Sequence, residues 1–256
     1  MIRLLVAAGV VFGSIFALNI VHEAIKAGTP TPLVRVIYAI PSDREVAPGA
    51  PEAIAAAVTD VQQWYAEQMG GPTFELVGET PRICHMRHDS NHFDSVVWHQ
   101  TVLRTVEGRC APWKLSERHI LVIYADVPPA CDFHNGAALG GEGYAFLNRV
   151  HLMGLVDPEQ EDICAAFRKP IPEGYRSGFR DTVDGWRGSL AHELGHALGL
   201  GHHDNCQDTG KCLDDSVIGR GAYSYPDTYL HESDRVILLR LWEEGTVPIG
   251  NAPGEF

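Results

Sequence analysis

Two histidines and a glutamate stand close together within residues 189–203, which read SLAHELGHALGLGHH. His192 and His196 are four residues apart, so on a helix they lie one above the other on a single face. Imidazole nitrogens placed in this way can bind one metal ion. Glu193 adjoins the first histidine, and its carboxylate can take a proton from water at that ion. The spacing therefore indicates metal-assisted hydrolysis.

A third imidazole follows where the chain is expected to turn. Gly199 stands at the predicted end of the helix, a place where a left-handed residue is usual. The turn allows His202 to approach the same ion as a third nitrogen ligand. Three imidazoles leave the fourth tetrahedral position of Zn²⁺ open for water, which is typical of a catalytic zinc site. His203 is the alternative third ligand, but its spacing from Gly199 fits less well.

The apolar pattern predicts a helix under this motif. Its buried face consists of residues that recur at intervals of three and four, namely Val183, Trp186, Leu190, Leu194 and Ala197. At about 100° per residue, the two histidines lie on the side opposite Leu190 and Leu194. A helix of this kind presents both imidazoles away from its apolar face.

The stretch 192–202, HELGHALGLGH, resembles the extended zinc motif HExxHxxGxxH of the metzincin metalloproteases, and it is most similar to matrixin-like enzymes. The resemblance implies that His192, His196 and His202 bind Zn²⁺ and that Glu193 is the general base. It also implies an α+β fold: a single catalytic domain with a mixed twisted sheet, an active-site helix and a C-terminal helix.

One residue departs from that family pattern. Metzincins carry a methionine in a tight turn beneath the zinc, after the third histidine, whereas this chain has no methionine after Met153. Residues 216–219 are the counterpart of the turn, with Ile218 where the family has methionine. Isoleucine can fill the same volume without the flexibility of the thioether. The substitution affects the assignment to a metzincin subfamily more than it affects the expected catalysis.

Other segments predict the elements that hold this helix in place. A β-branched run at 33–40 and a near-continuous apolar run at 119–127 are typical of strands, the second one covered on both faces. The remaining expectations are a helix at 51–71, a strand at 74–78, a helix at 92–106, a strand at 141–149, an irregular stretch at 154–180 and a C-terminal helix at 231–244. Together they predict one domain over residues 33–250.

Composition excludes several classes of protein. The chain has 20 basic and 33 acidic side chains among 256 residues, which gives a net charge of −13. Such a protein repels phosphate backbones, so nucleic acid is excluded as its main partner. A hydrophobic content of 45% with 21% charged residues excludes a mostly disordered chain. We expect a monomer that acts on a protein or peptide substrate.

The first residues indicate export. Residues 1–21 read MIRLLVAAGVVFGSIFALNIV, in which Arg3 precedes a run of apolar and small residues. This pattern favours a signal peptide within 1–28, and an uncleaved membrane anchor is the alternative. Either segment places the rest of the chain outside the cytoplasm, with contact to a membrane only through the anchor. The protein is therefore expected to be secreted or extracytoplasmic.

Cysteine content agrees with export. The chain has an even number of cysteines, which in an exported protein suggests disulfides: Cys84, Cys110, Cys131, Cys164, Cys206 and Cys212. Six cysteines allow 15 pairings, and the one pair we predict is Cys206–Cys212, because the short segment between them can close a small loop. No CxxC occurs, which disfavours a thiolate metal site.

These observations predict a zinc-dependent endopeptidase. The same residues also fit two alternatives: an exported zinc-binding protein without proteolytic activity, and a zinc amidase that acts on non-protein amides. Three further histidines, His85, His88 and His92, stand at intervals of three and four and make a second metal site conceivable. Tyr223 and Tyr225 follow the predicted turn, and packed aromatic residues are their favoured interpretation.

Overall fold

The computed structural model describes residues 31–71, 73–94, 98–110, 119–128, 138–141, 143–158, 182–202 and 215–244. The proposed signal segment 1–28, the Cys206–Cys212 pair and most of the stretch 154–180 lie outside these residues. Within the described residues, no helix is both long enough and apolar enough to cross a bilayer.

A mixed six-stranded sheet organises the described part of the chain. Its strands are β1 (Leu33–Ile40), β2 (Glu75–Leu76), β3 (Arg82–His85), β4 (His119–Ala125), β5 (Ala138–Gly141) and β6 (Tyr144–Leu147). The order is β2-β1-β4-β6-β5, and β3 also pairs with β1. The pairings of β1 with β2, β3 and β4 and of β4 with β6 are parallel, whereas β5 and β6 are antiparallel. The predicted fold class, a mixed sheet with the motif helix and a C-terminal helix, is confirmed.

Both faces of the central strands are buried, as the apolar run at 119–127 predicts. Alternate residues of β4 enter two different cores because side chains of a strand point to opposite faces. Ile120, Val122 and Tyr124 join the larger core, whereas Leu121 and Ile123 join the smaller one. The larger core receives helices α1 (Ala50–Met69), α3 (Arg149–Val156), α4 (Val183–Ala197) and α5 (Glu232–Glu243). The smaller core is covered by α2 (Trp98–Arg109).

Local signals set the ends of α1 close to the predicted 51–71. Pro51 stands in its first turn, where its missing N–H costs nothing. Gly70 ends the helix in the left-handed conformation, with φ of 69°, and its N–H bonds to the Glu67 carbonyl. The inward face carries Ile54, Val61 and Tyr65 into the larger core. Tyr65 also contacts the motif helix through its hydroxyl group.

Two predicted elements have the wrong bounds, and two elements of the structure were not predicted. The strand predicted at 141–149 is a hairpin of β5 and β6, and Asn148 already caps the unpredicted helix α3. Residues 92 and 93 of the helix predicted at 92–106 belong to a short 3₁₀ turn at Ser90–Phe93, and the described part of the helix is Trp98–Arg109. Strand β3 was not predicted, because its sequence RICH has no alternating apolar pattern.

The C-terminal helix predicted at 231–244 is present as α5, but not all of its apolar residues are buried. Val236 is 48% exposed. The buried face instead consists of Asp234, Leu238 and Trp242, which recur at four-residue intervals. A hydrophobic pattern cannot reveal this buried face, because the carboxylate of Asp234 occupies one of its inward positions.

One disulfide lies in the described residues, between Cys84 and Cys110. It joins the end of β3 to the residue that follows α2, two segments on the smaller-core side of the sheet. The cross-link constrains a loop of the unfolded chain and so favours the folded state. Disulfide bonding is thus confirmed in general, while the predicted Cys206–Cys212 pair remains a prediction.

A buried charge cluster joins three parallel strands at their carboxyl ends. Asp126, which follows β4, is 1% exposed. Its Oδ1 atom accepts hydrogen bonds from Arg44 Nη1 at 2.6 Å and from Arg149 Nη1. Arg44 follows β1 and Arg149 begins α3 directly after β6, so the carboxylate ties together the exits of all three strands.

Replacement of Asp126 by Asn should destabilise the fold by roughly 3–5 kcal/mol, because two guanidinium groups would lose their anion in a poorly solvated position. Urea unfolding followed by circular dichroism measures this change. The exposed Asp227→Asn variant, which removes an equal charge elsewhere, should differ from wild type by less than about 0.5 kcal/mol. Equal stability of the two variants would contradict the assigned role of the cluster.

A buried histidine adds a pH-dependent contribution to stability. His151 of α3 is fully buried between the rings of Tyr124 and Trp186, at centroid distances of 5.6 and 5.3 Å. Burial lowers the pKa of His151 to about 3. An unfolded histidine has a pKa of about 6.5. Between this pH and about 3, the histidine is therefore protonated in the unfolded state and neutral in the folded state.

Stability should therefore fall as the pH drops from about 6.5 towards 3, by up to about 1.4 kcal/mol per pH unit from this residue. His151→Leu should flatten the acid side of the stability profile. Urea midpoints at a series of pH values, measured with chelator for both proteins, isolate the effect from metal release. Parallel profiles of variant and wild type would refute the assignment.

Candidate metal centre

The motif helix α4 spans Val183–Ala197 and begins where the sequence predicts it. Thr182 caps it, with its side-chain oxygen accepting a hydrogen bond from the Gly185 N–H at 3.2 Å. The face with Leu190 and Leu194 is completely buried in the larger core. His192 and His196 lie on another face and are only partly buried, as the helical spacing predicts.

The end of α4 turns the chain back towards its own histidines. Gly199 has φ of 99°, in the left-handed region where glycine alone is unstrained. Its N–H bonds to the His196 carbonyl at 2.9 Å, and the Leu200 N–H bonds to the Gly195 carbonyl at 3.0 Å. This pair of bonds is a Schellman motif. The predicted left-handed turn is therefore present at Gly199, and it leads directly to His202.

The three predicted histidines meet at their Nε2 atoms. The distance is 3.0 Å between His192 and His196, 3.2 Å between His196 and His202, and 3.3 Å between His192 and His202. Within the described residues, this is the one group of three potential ligands that lies close enough to hold a metal ion. The ring nitrogens of the described residues His85, His88 and His92 do not converge, so the second site is not formed. The rings of His88 and His92 stack at a centroid distance of 3.9 Å instead.

The other ring nitrogens decide which tautomer is present. His192 Nδ1 lies 2.8 Å from the Val217 carbonyl oxygen, and His196 Nδ1 lies 2.8 Å from the Leu200 carbonyl oxygen. A carbonyl only accepts, so each Nδ1 carries the hydrogen and each Nε2 has a bare lone pair. Neutral rings also follow from the low pKa values, about 3 for His192 and about 4 for His196, which burial causes in both cases.

The bare lone pairs of His192 and His196 cannot hydrogen-bond to each other, because neither nitrogen has a hydrogen to donate. A cation between them would offset the repulsion of these lone pairs. At Zn–N distances of about 2.0–2.1 Å, tetrahedral ligands are separated by about 3.3 Å, close to the spacings in the structure. The second ring nitrogen of each ligand usually bonds to a carbonyl or carboxylate in zinc proteins. The three residues therefore fit a zinc ion by spacing, and His192 and His196 fit it by tautomer as well.

A turn at residues 216–219 packs against α4. Val217 and Ile218 are completely buried, and Val217 provides the carbonyl that orients His192. The side chain of Ile218 occupies the space beside Gly195, where an added Cβ would lie 2.3 Å from Ile218 Cδ1. Ile218 thus packs against the motif helix beside Gly195.

Tyr65 from α1 contacts the same part of the helix. Its hydroxyl donates to the Ala191 carbonyl at 2.8 Å, immediately before His192. This contact connects α1 to α4. It could not be predicted from the sequence, where Tyr65 is one of the apolar positions of a single helix. Tyr225, in contrast, packs on Trp64 and donates to Asp60 at 2.6 Å, which agrees with a packed aromatic role.

Glu193 lies beside the edge strand β5. Burial raises the pKa of the Glu193 carboxyl to about 8, and the backbone N–H of Gly140 acts against this rise by donating to the carboxylate. A cation at the three imidazoles would favour the ionised form further. The predicted alternative ligand His203 and the neighbouring Asp204 lie outside the described residues.

Comparisons with known proteins give a structural likeness only. No protein-family model matches the chain, and no curated protein matches it by sequence. Catalytically inactive OgpA from Akkermansia muciniphila, solved in complex with an O-glycopeptide (glycodrosocin) substrate, is 16% identical, with a TM-score of 0.49 over 81% of this chain and 60% of OgpA. Archaemetzincin (amzA) from Methanopyrus kandleri is 15% identical, with a TM-score of 0.41 over 84% of this chain and 96% of archaemetzincin. Neither likeness bears on the chemistry of this chain.

Proposed function

We propose that the chain is a zinc-dependent endopeptidase that hydrolyses peptide bonds in a protein or peptide substrate. His192, His196 and His202 would hold the ion, and Glu193 is the general base. The proposal depends on one observation: the Nε2 atoms of the three histidines lie within 3.3 Å of one another. In His192 and His196, the Nδ1 hydrogen of the same ring is bound to a backbone carbonyl. A purely structural zinc has no use for a carboxylic acid beside its ligands.

Zinc, when bound by three imidazoles, supplies an open coordination position, polarises a carbonyl oxygen and lowers the pKa of water towards about 7. The residues of the chain perform the proton transfers. The Glu193 carboxylate takes a proton from the water that attacks the carbonyl carbon. The resulting carboxylic acid then donates this proton to the departing amine as the C–N bond breaks. One water is consumed, and one carboxyl and one amino terminus are formed.

The sequence and one cross-link support an extracytoplasmic place of action as part of the same proposal. Residues 1–21 have the pattern of a signal peptide or anchor, and the Cys84–Cys110 disulfide suits an oxidising compartment. N-terminal sequencing of the protein recovered from a secreting host would test the export step. Recovery of unprocessed chain in the cytoplasm alone would refute it.

Zinc content and peptide cleavage test the function directly. The purified chain should retain about one zinc ion after dialysis and should cut internal bonds in a mixed peptide library analysed by mass spectrometry. Treatment with 1,10-phenanthroline should abolish cleavage, and added Zn²⁺ should restore it. One retained zinc without any cleavage would favour a zinc-binding protein instead, and cleavage of non-peptide amides alone would favour an amidase.

A further inference from the structure

The edge strand β5 lies against the part of α4 that carries Glu193. Its register with β6 pairs Gly140 with Ala145 and Gly141 with Tyr144, so the backbone of β5 is fixed on one side by the sheet. On its other side, no further strand is paired among the described residues. The two glycines are neighbours in the same strand, yet their surroundings differ completely.

Gly140 is in a position where a side chain has no room. A Cβ atom added there would lie 2.3 Å from the carbonyl oxygen of Glu193, 2.8 Å from its Cα and 2.8 Å from its Oε2. A Cβ added at Gly141 would have no neighbour within 4 Å. The φ of Gly140 is outside the left-handed region, so close approach to Glu193 is the reason for glycine at this position.

The same residue also bonds to the carboxylate. Its backbone N–H donates to the Glu193 side chain, whose Oε2 lies 2.8 Å from the position that a Cβ of residue 140 would occupy. A glutamate side chain has several rotatable bonds, and a donor on a sheet strand restricts them far better than water does. The absent side chain and the N–H act together, because the hydrogen bond requires the close approach of β5 to α4.

We propose that Gly140 is a positioning residue for the general base: its backbone N–H, brought close by the absence of a side chain, holds the Glu193 carboxylate in place. This inference rests on the proposed function, since it assigns a means of orientation to the base of that reaction. Gly140 itself does not touch the reacting atoms. It acts through the rotamer of Glu193.

The first test compares two adjacent substitutions. Gly140→Ala should lower kcat for peptide cleavage by about 10–100-fold and change KM by less than about threefold, because displacement of a catalytic group by about 1 Å costs this much. Gly141→Ala should remain within about twofold of wild type in both constants. Zinc content and circular dichroism should be unchanged in both variants.

The second test is independent of turnover and of any change at Gly140. Glu193→Ala removes the acceptor of the proposed bond, so the Gly140 amide should exchange with solvent at least about tenfold faster in hydrogen-exchange NMR of the zinc-loaded chain. The amides of β6 should change by less than about threefold. This pattern distinguishes loss of one hydrogen bond from loosening of the whole hairpin.

The outcomes separate the two proposals. Unchanged exchange at Gly140 in Glu193→Ala, or equal kcat losses in Gly140→Ala and Gly141→Ala, would refute the positioning role while the endopeptidase proposal stands. Absence of any cleavage by the zinc-loaded wild-type chain would refute the endopeptidase and with it the catalytic role of Gly140. Faster exchange at Gly140 alone, together with a selective loss of kcat, supports the inference.

Discussion

Glu193→Gln should lower kcat/KM for peptide cleavage by about 10³-fold, within the range of about 10²–10⁴ that a positioned acid–base group contributes. The amide keeps the shape of the side chain and can still accept a hydrogen bond from Gly140, but it cannot take a proton from the attacking water. Zinc content should stay equal to wild type, because His192, His196 and His202 are untouched. Peptide cleavage under initial-rate conditions and metal analysis of the same samples measure both quantities.

The matched control is Glu52→Gln, which makes the same chemical change in the first turn of α1. This exposed residue should retain full activity. A Glu193→Gln variant with more than about a tenth of wild-type activity and a full complement of zinc would contradict the role of Glu193 as general base. Another proton acceptor would then have to serve the reaction.

His196→Ala should abolish stable zinc binding. The Nε2 atom of His196 is the one closest to both other ligands, at 3.0 and 3.2 Å, and its removal leaves two imidazoles to hold the ion. Affinity should fall by more than about 100-fold, since even residues that only orient ligands account for about 10–100-fold. Competition with a chromophoric chelator measures the affinity, and cleavage should be lost in parallel.

Thermal unfolding provides an independent measure of the same change. Added Zn²⁺ should raise the Tm of the wild-type chain, because a ligand that binds only the folded state stabilises it. His196→Ala should show little such rise, whereas His88→Ala, an exposed histidine outside the triad, should respond as wild type does. Full zinc affinity in His196→Ala would show that the ion binds elsewhere.

The local part of the site could be predicted from the sequence because its signals are local. The apolar intervals predict α4, which the structure places at Val183–Ala197, and Gly199 predicts the turn that follows. Helical geometry then brings His192 and His196 together without any knowledge of the rest of the fold. The approach of His202 follows from the same turn, within ten residues of the first histidine.

Partners from distant segments could not be predicted in this way. The Val217 carbonyl lies 25 residues from His192 in sequence, and a backbone acceptor has no residue type by which it can be recognised. The contact of Gly140 with Glu193 depends on the packing of β5 against α4, and the hairpin that contains β5 was itself predicted as a single strand. Helix α3 was missed because its eight residues are mostly apolar and resemble a buried strand.

The orientation of two imidazoles by main-chain carbonyls has a consequence for how this protein can vary between relatives. Positions 200 and 217 contribute an oxygen that every amino acid possesses, so many substitutions there would leave the rings of His196 and His192 correctly turned. A one-residue insertion or deletion between 196 and 200, however, would move the Leu200 oxygen away from its imidazole. Length in this short segment should therefore be preserved more strictly than residue identity.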